Sequence, residues 1–238
     1  MTGRRAALIT VCGVIAAVGL GIALQAARYA HSASFRGPSQ AEVAQAEATA
    51  VGQLWERLPL GQIFPEAVNY LTPQQTKETA TRLGIGAGDS CAAALDSTMQ
   101  NAARSSGCVA ALRASYADEL DGTVYTVGVI VFPGNQDALA FYNAVPRSET
   151  PGTGLHALQL SGTAAALFTD SGRQTLYSWV TGPYVVLGVS GYADGRPATQ
   201  SAQPRDTIFQ PVGDIVKAVA GPLGTSPTVH CGDGEFAC

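Results

Sequence analysis

A long apolar stretch lies at the beginning of the chain. Ala6–Leu24 contains nineteen residues without a charge, preceded by Arg4 and Arg5 and followed by Arg28. As a helix, this stretch would reach about 28 Å, close to the roughly 30 Å hydrocarbon thickness of a bilayer. We therefore predict a transmembrane anchor over residues 6–27.

The anchor implies a topology. Because short basic segments stay in the cytoplasm, residues 1–5 are predicted to lie inside, in a single-pass protein of the cell membrane. Residues 28–38 form a linker, and residues 39–238 form an extracytoplasmic domain with a loop-rich tail from residue 222. The alternative is secretion after cleavage of a signal peptide, although signal cores usually span only about 7 to 15 residues.

Helical periodicity follows the linker. Ser39 and Glu42 have the spacing of a capping box, and apolar residues then recur at helical intervals as far as Pro59. Thr72 and Ser97 give two further start signals, and Gly84 and Gly107 the matching stops. The predicted helices are Gln40–Leu58, a segment from Thr72 to Gly84, and a segment from Ser97 to Gly107.

The period changes to two after Val109. Asp121 and Gly122 form a turn signal between Leu112–Tyr116 and Thr123–Phe132, which predicts a hairpin. Asn135 is the predicted cap of another helix. Further strands are predicted at Leu155–Leu160, Ala164–Thr169, Gln174–Val180 and Tyr184–Gly191, followed by a closing helix at Ile208–Val219 that is interrupted near Pro211.

The predicted fold class is α+β. The short connections between the later strands favour an antiparallel meander. We expect an N-terminal transmembrane helix followed by an antiparallel sheet of about five strands, with helices packed on one face.

The charge of the exported part limits its partners. Residues 37–238 contain ten basic and eighteen acidic side chains, a net charge of −8. Nucleic acids and anionic lipid surfaces are bound through basic patches. We therefore expect no nucleic-acid partner.

Four cysteines follow the linker, and an even number in an oxidising compartment predicts disulfides. A turn and a short helix between Cys91 and Cys108 would bring these two together. Cys231 and Cys238 bracket a glycine-containing loop that can close on itself. The alternative for the tail is a metal site with His230, although its spacing is not that of a zinc motif.

No catalytic motif is recognisable. The chain lacks the Gly-x-Ser-x-Gly motif of serine hydrolases, and His156 is the one histidine outside the linker and tail that could act as a base. Gly84–Gly88 resembles part of a dinucleotide fingerprint, but is predicted to follow a helix. Asp118, Glu119 and Asp121 are predicted to be solvated turn residues. We predict no catalytic residue, no cofactor and no metal site.

Several short motifs together resemble a group of membrane-anchored extracytoplasmic proteins from GC-rich bacteria that has no assigned activity. They are Ile63-Phe64-Pro65, Cys91, Gly107-Cys108, Leu112–Tyr116 and Thr126–Val129, and the resemblance extends over Leu58–Phe132. The element order that follows is similar to extracellular sensor domains of bacterial kinases, but this sequence has no kinase domain.

These observations predict a membrane-tethered extracytoplasmic binding or accessory domain without catalytic activity. The expected partner is an envelope or membrane protein or a small ligand. The alternatives are a secreted or envelope-associated hydrolase with His156 as its base, and a carrier of a ligand such as a lipid or a metal.

Overall fold

The computed structural model describes residues 19–28, 38–88, 90–146, 153–198 and 207–227. The chain forms two compact units. The larger unit contains the whole sheet.

The smaller unit includes the described part of the predicted anchor. Residues 19–28 are helical, and Leu20, Ile22 and Leu24 are exposed on this segment. Across the described ranges, no helix combines the length and the apolar character needed to cross a membrane. The preceding part of the predicted anchor, residues 6–18, lies outside the described residues.

Helix α1 (Gln40–Gly52) begins at the predicted capping box. The Ser39 N–H donates to Glu42 Oε2 at 2.7 Å, and the Glu42 N–H donates to Ser39 Oγ at 3.3 Å. Two short helices follow, α2 (Leu54–Arg57) and α3 (Leu60–Ile63). The single helix predicted here is therefore confirmed in position but interrupted after α1.

Six strands form one antiparallel sheet in the spatial order β1-β2-β3-β4-β6-β5. The strands are β1 (Ala67–Leu71), β2 (Lys77–Ile85), β3 (Ala110–Ala117), β4 (Thr123–Val131), β5 (Thr175–Thr181) and β6 (Tyr184–Tyr192). The α+β class with an antiparallel sheet is confirmed, with one strand more than predicted. Strands β1 to β4 follow one another across the sheet, although β1 and β2 were not predicted as strands. The meander predicted for the later strands is wrong, because β6 pairs with β4 and β5 lies at the edge of the sheet.

The remaining helices lie between and after the strands. They are α4 (Cys91–Ala94), α5 (Ser97–Ser105), α6 (Asn135–Ala144) and α7 (Val212–Gly224). Helices α5 and α6 begin at Ser97 and Asn135, the residues predicted as their caps, so each helix begins one residue earlier than predicted. The residue before α5 is Asp96, which accepts hydrogen bonds from two N–H groups of the first turn, and Gly134 precedes α6.

Both faces of the sheet are buried. On one side, here called the front face, Tyr125, Val127 and Val129 of β4 pack in the same apolar cluster as α7. On the opposite side, the back face, Val124 and Ile130 pack in a second cluster with residues of α5 and α6. The prediction of helices on one face is therefore wrong. Strand β4 is buried at all nine positions, which requires cover on both sides.

The predicted helix from Thr72 to Gly84 is also wrong. This segment is the turn of a hairpin followed by β2, with Leu71 paired to Lys77. The Thr72 side chain accepts a hydrogen bond from the Thr76 N–H at 3.1 Å, and Gln75 has a φ of 63°. The hydroxyl that resembled a helix cap therefore stabilises a tight turn.

Two predicted strands on the back face are not strands. In Leu155–Leu160, Leu155 makes an isolated bridge to Leu95, and the rest of the segment is irregular. The Ala164–Thr169 prediction corresponds to a 3₁₀ turn at Ala164–Leu167. Leu155 and Phe168 are both fully buried, so these segments use their apolar residues to cover the sheet.

Candidate functional site

The alternation of side chains along the strands places five polar and aromatic groups at one end of the front face. Tyr70 on β1 lies opposite Glu78 on β2. Asp118 follows β3 in phase with Tyr116, and Tyr116 is paired with Tyr125 on β4. Tyr192 ends β6. The five groups therefore come from five neighbouring strands at the end where the sheet extends beyond α7.

These groups border an open cleft of about 490 Å³. Its floor is the front face, and its rim is made by the turns at residues 72–74 and 118–122. Residues 207–211, just before α7, complete the rim. A concave site of this volume is typical of small-molecule binding sites.

The acidic residues of the cleft are held by hydrogen bonds. The Tyr70 hydroxyl donates to Glu78 Oε2 at 2.8 Å. Asp118 Oδ1 accepts from the Gly122 N–H at 2.8 Å and from the Thr123 N–H at 3.2 Å. Each carboxylate is thus fixed by one oxygen, and in the described part of the chain no hydrogen bond reaches Glu78 Oε1 or Asp118 Oδ2.

The negative charge of the cleft affects the pKa values of its two buried tyrosines, Tyr70 and Tyr125. Burial, followed by the hydrogen bond to Glu78 and its charge, raises the pKa of the Tyr70 hydroxyl well above its usual range. Burial also raises the pKa of Tyr125, and the charge of Asp118 adds to this shift. Both phenols are therefore neutral at all physiological pH values.

An ion pair between Arg196 and Asp194 lies at the edge of the cleft, with the arginine stacked on an aromatic ring. The Arg196 guanidinium lies 4.2 Å from the centre of the Tyr192 ring, and Arg196 Nη2 is 2.6 Å from Asp194 Oδ2. The hydrogen bonds from Arg196 lower the pKa of the Asp194 carboxyl. The Arg196 charge is consequently balanced by Asp194.

A second polar cluster lies on the back face. His156 Nδ1 is 2.5 Å from Asp170 Oδ2, and the other Asp170 oxygen accepts from the Ala157 N–H at 2.8 Å. Burial opposes ionisation of Asp170, but the bonds from Ala157 and His156 and the charge of Arg173 outweigh it and lower its pKa. An aspartate at Nδ1 orients a histidine as in hydrolytic triads. No described residue makes a hydrogen bond to Nε2, where a nucleophile would have to lie.

A buried arginine links this pair to α5. Arg173 is 3% exposed, and its guanidinium donates to the Leu155 carbonyl at 2.6 Å and to the Asp170 carbonyl at 3.0 Å. Its Nη1 also lies 3.4 Å from Asp96 Oδ2. The network ties the irregular segment beside His156 to the sheet, so it has a structural role whether or not the histidine reacts.

The structure places the predicted cysteines as follows. Cys91 and Cys108 form a disulfide, with their Cα atoms 6.3 Å apart, as predicted. Cys231, Cys238 and His230 lie outside the described residues. The Cys231–Cys238 disulfide and its alternative, a metal site with His230, therefore stay predictions. Within the described ranges, no group of three or more histidine, cysteine or carboxylate side chains is suited to hold a metal ion.

The glycine-rich segment Gly84–Gly88 has a different context from the one predicted. Gly84 and Ile85 end a strand, β2, not a helix. A dinucleotide fingerprint needs a parallel β-α-β unit, whereas β2 pairs antiparallel with both of its neighbours. The segment therefore does not have the structural context of a dinucleotide fingerprint.

The acidic turn residues have more specific roles than solvation. Asp118 closes the turn and lines the cleft, and the Glu119 carboxylate accepts from the Thr79 N–H at 3.0 Å. Tyr70, Glu78 and Tyr192 were not predicted as site residues. No local spacing connects the tyrosines of the site, because Tyr70, Tyr125 and Tyr192 lie on three different strands. Glu78 was missed because the helix predicted from Thr72 to Gly84 includes it.

The fold and the cleft define the protein as an α+β domain with a six-stranded antiparallel sheet and an acidic, aromatic site at one end of its front face. Comparison of the chain with protein-family models, with curated proteins and with solved structures found no match.

Proposed function

We propose that the chain is a membrane-tethered extracytoplasmic domain that binds a ligand or partner at the front-face cleft and has no catalytic activity. The observation that carries the proposal is the apolar rim of a concave site: Leu120 is 90% exposed and Ile208 is 45% exposed, and both line the cleft. Exposed apolar residues grouped around a cavity mark binding surfaces.

Two other observations support the proposed extracytoplasmic location. The Cys91–Cys108 disulfide is typical of proteins outside the reducing cytoplasm. The uncharged stretch Ala6–Leu24, of which residues 19–24 are helical in the structure, supports an anchor in lipid. In this proposal the domain belongs with the membrane-anchored extracytoplasmic proteins that it resembles, and it acts on an envelope protein or a small ligand.

Site-specific photo-crosslinking in the native envelope tests the proposal. A photoreactive amino acid at Leu120 should give a defined adduct, detected by gel shift for a protein and by mass spectrometry for a small ligand. The same group at Leu139, which is 41% exposed on α6 at the back face, is the control. Equal crosslinking from both positions, or none from Leu120, would contradict binding at the cleft.

A hydrolase is the second candidate because His156 and Asp170 are paired as a base and its orienting acid. It requires a nucleophile at Nε2, and the full-length protein should then turn over substrates in a broad hydrolase panel. His156→Ala should abolish that turnover. The binding proposal expects no turnover in the same panel, so one assay separates the two candidates. If the protein is instead a carrier, mass spectrometry of the natively purified protein should detect bound cargo.

A further inference from the structure

The chemistry of the cleft points to the kind of molecule that it holds. Across the sheet, the two acidic groups of the front face, Glu78 and Asp118, lie between Tyr70 on one side and Tyr125 and Tyr192 on the other. Two carboxylates thus lie between aromatic groups on a surface that the fold fixes. A cation next to carboxylates gains charge-assisted hydrogen bonds from them.

The charge of the cleft is not neutralised from within. Among the described lining residues, Arg196 is the one cationic side chain, and its charge is balanced by Asp194. Glu78 and Asp118 therefore give the lining a negative charge. A complementary ligand is positively charged, and an anionic ligand would face both carboxylates.

The hydrogen-bonding pattern specifies a donor. Glu78 Oε1 and Asp118 Oδ2 are acceptor atoms without a hydrogen bond in the described part of the chain, although the other oxygen of each group is held in place. An ammonium group has three donors and no acceptor, so it satisfies such oxygens without leaving an unpaired group. The apolar rim of Leu120 and Ile208 suits the carbon chain of the same molecule.

We propose that the cleft binds a small organic cation with a primary ammonium group, placed between Glu78 and Asp118 with its carbon chain along Leu120 and Ile208. The inference rests on the proposed binding function and names its ligand class. The same chemistry is offered by a free amine and by the side chain of a lysine in a peptide.

Calorimetric titration of the full-length protein at about pH 7 tests the inference, with pentylamine and 1-pentanol as matched probes that differ in the charged group. Pentylamine should bind about tenfold or more tightly than pentanol, the ratio expected from losing one charge-assisted hydrogen bond. Added salt should weaken pentylamine binding because charge contributes to it. Nα-acetyl-lysine amide tests the peptide source, and the tighter of the two amines identifies it.

Two variants locate the site. Glu78→Gln and Asp118→Asn should each weaken pentylamine binding about fivefold or more, because each removes one charge at the site. The side-chain amide in Asp118→Asn keeps a carbonyl oxygen that accepts from the N–H groups of the turn, so the fold is retained. Glu66→Gln is the control, since Glu66 is exposed at the opposite end of β1.

The outcomes separate the inference from the proposed function. If pentanol binds as tightly as pentylamine, or the two cleft variants bind like Glu66→Gln, the cation inference is overturned while a ligand-binding cleft stands. If neither amine binds to protein shown to be folded by circular dichroism, the inference is also overturned. Crosslinking from Leu120 then decides the proposed function independently.

Discussion

The disulfide between Cys91 and Cys108 connects the beginning of α4 to the residues before β3 and closes a loop over a sequence separation of 17 residues. Closing a loop of that length restricts the unfolded chain by about 3 kcal/mol in the chain-entropy model. We therefore expect the double variant Cys91→Ala/Cys108→Ala to lose about 3 kcal/mol of unfolding free energy. Replacing both residues avoids leaving a free thiol.

Urea denaturation followed by circular dichroism measures this loss. The denaturant slope should also rise, because the unfolded chain without the bond is less compact and exposes more surface. Cys12→Ala, which removes a cysteine but leaves this bond, is the control and should behave like the wild type. An unchanged midpoint and slope in the double variant would refute the loop-entropy reasoning.

Two further substitutions test the packing and the electrostatics of the sheet faces. Gly188→Ala should cost about 1 to 3 kcal/mol in thermal or chemical denaturation, since its Cβ would lie 2.5 Å from Val216 and 2.6 Å from Val212. Gly221→Ala on α7, which meets nothing within 4 Å, should be neutral or stabilising, and equal losses in the two would contradict the close approach. Asp170 has a lowered pKa in the folded state, so its contribution is present above its unfolded pKa of about 3.9 and is lost as the pH falls through the folded value. The difference in unfolding free energy between the wild type and Asp170→Asn should therefore shrink between about pH 5 and pH 3; a constant difference would show that His156 and Ala157 do not hold the carboxylate ionised.

Local signals predicted the parts of the fold that are stabilised locally. The capping box at Ser39 and Glu42 forms the expected pair of hydrogen bonds, and the hairpin of β3 and β4 follows from its turn and its alternation. The helix predicted at Thr72 failed because threonine and proline also begin turns. The competing strand, β2, obtains its hydrogen bonds from β1 and β3, which are tertiary partners.

The error about the faces of the sheet had a signal in the sequence. A strand with one solvated face alternates apolar and polar residues, whereas Thr123–Val131 is almost continuously apolar and aromatic. Such a strand needs cover on both sides. Helices α5 and α6 cover part of the back face. The segments around Leu155 and Phe168, which cover the rest, are mostly irregular, so periodicity could not identify them as part of this layer.

The cleft depends on a feature that no local pattern encodes, the insertion of β6 between β4 and β5. In a simple meander, β5 would pair with β4, and Tyr192 on β6 would lie a further strand away from the acidic turn. In the observed order, Tyr192 is paired directly with Thr123 of β4, next to the turn that holds Asp118. The hairpin of β5 and β6 would form in either arrangement, since its pairing is local. What selects the observed order is burial: β6 is buried at eight of its nine positions and β5 at none, so the more apolar strand takes the interior of the sheet. The same preference that buries β6 therefore brings Tyr192 next to the acidic turn of the cleft.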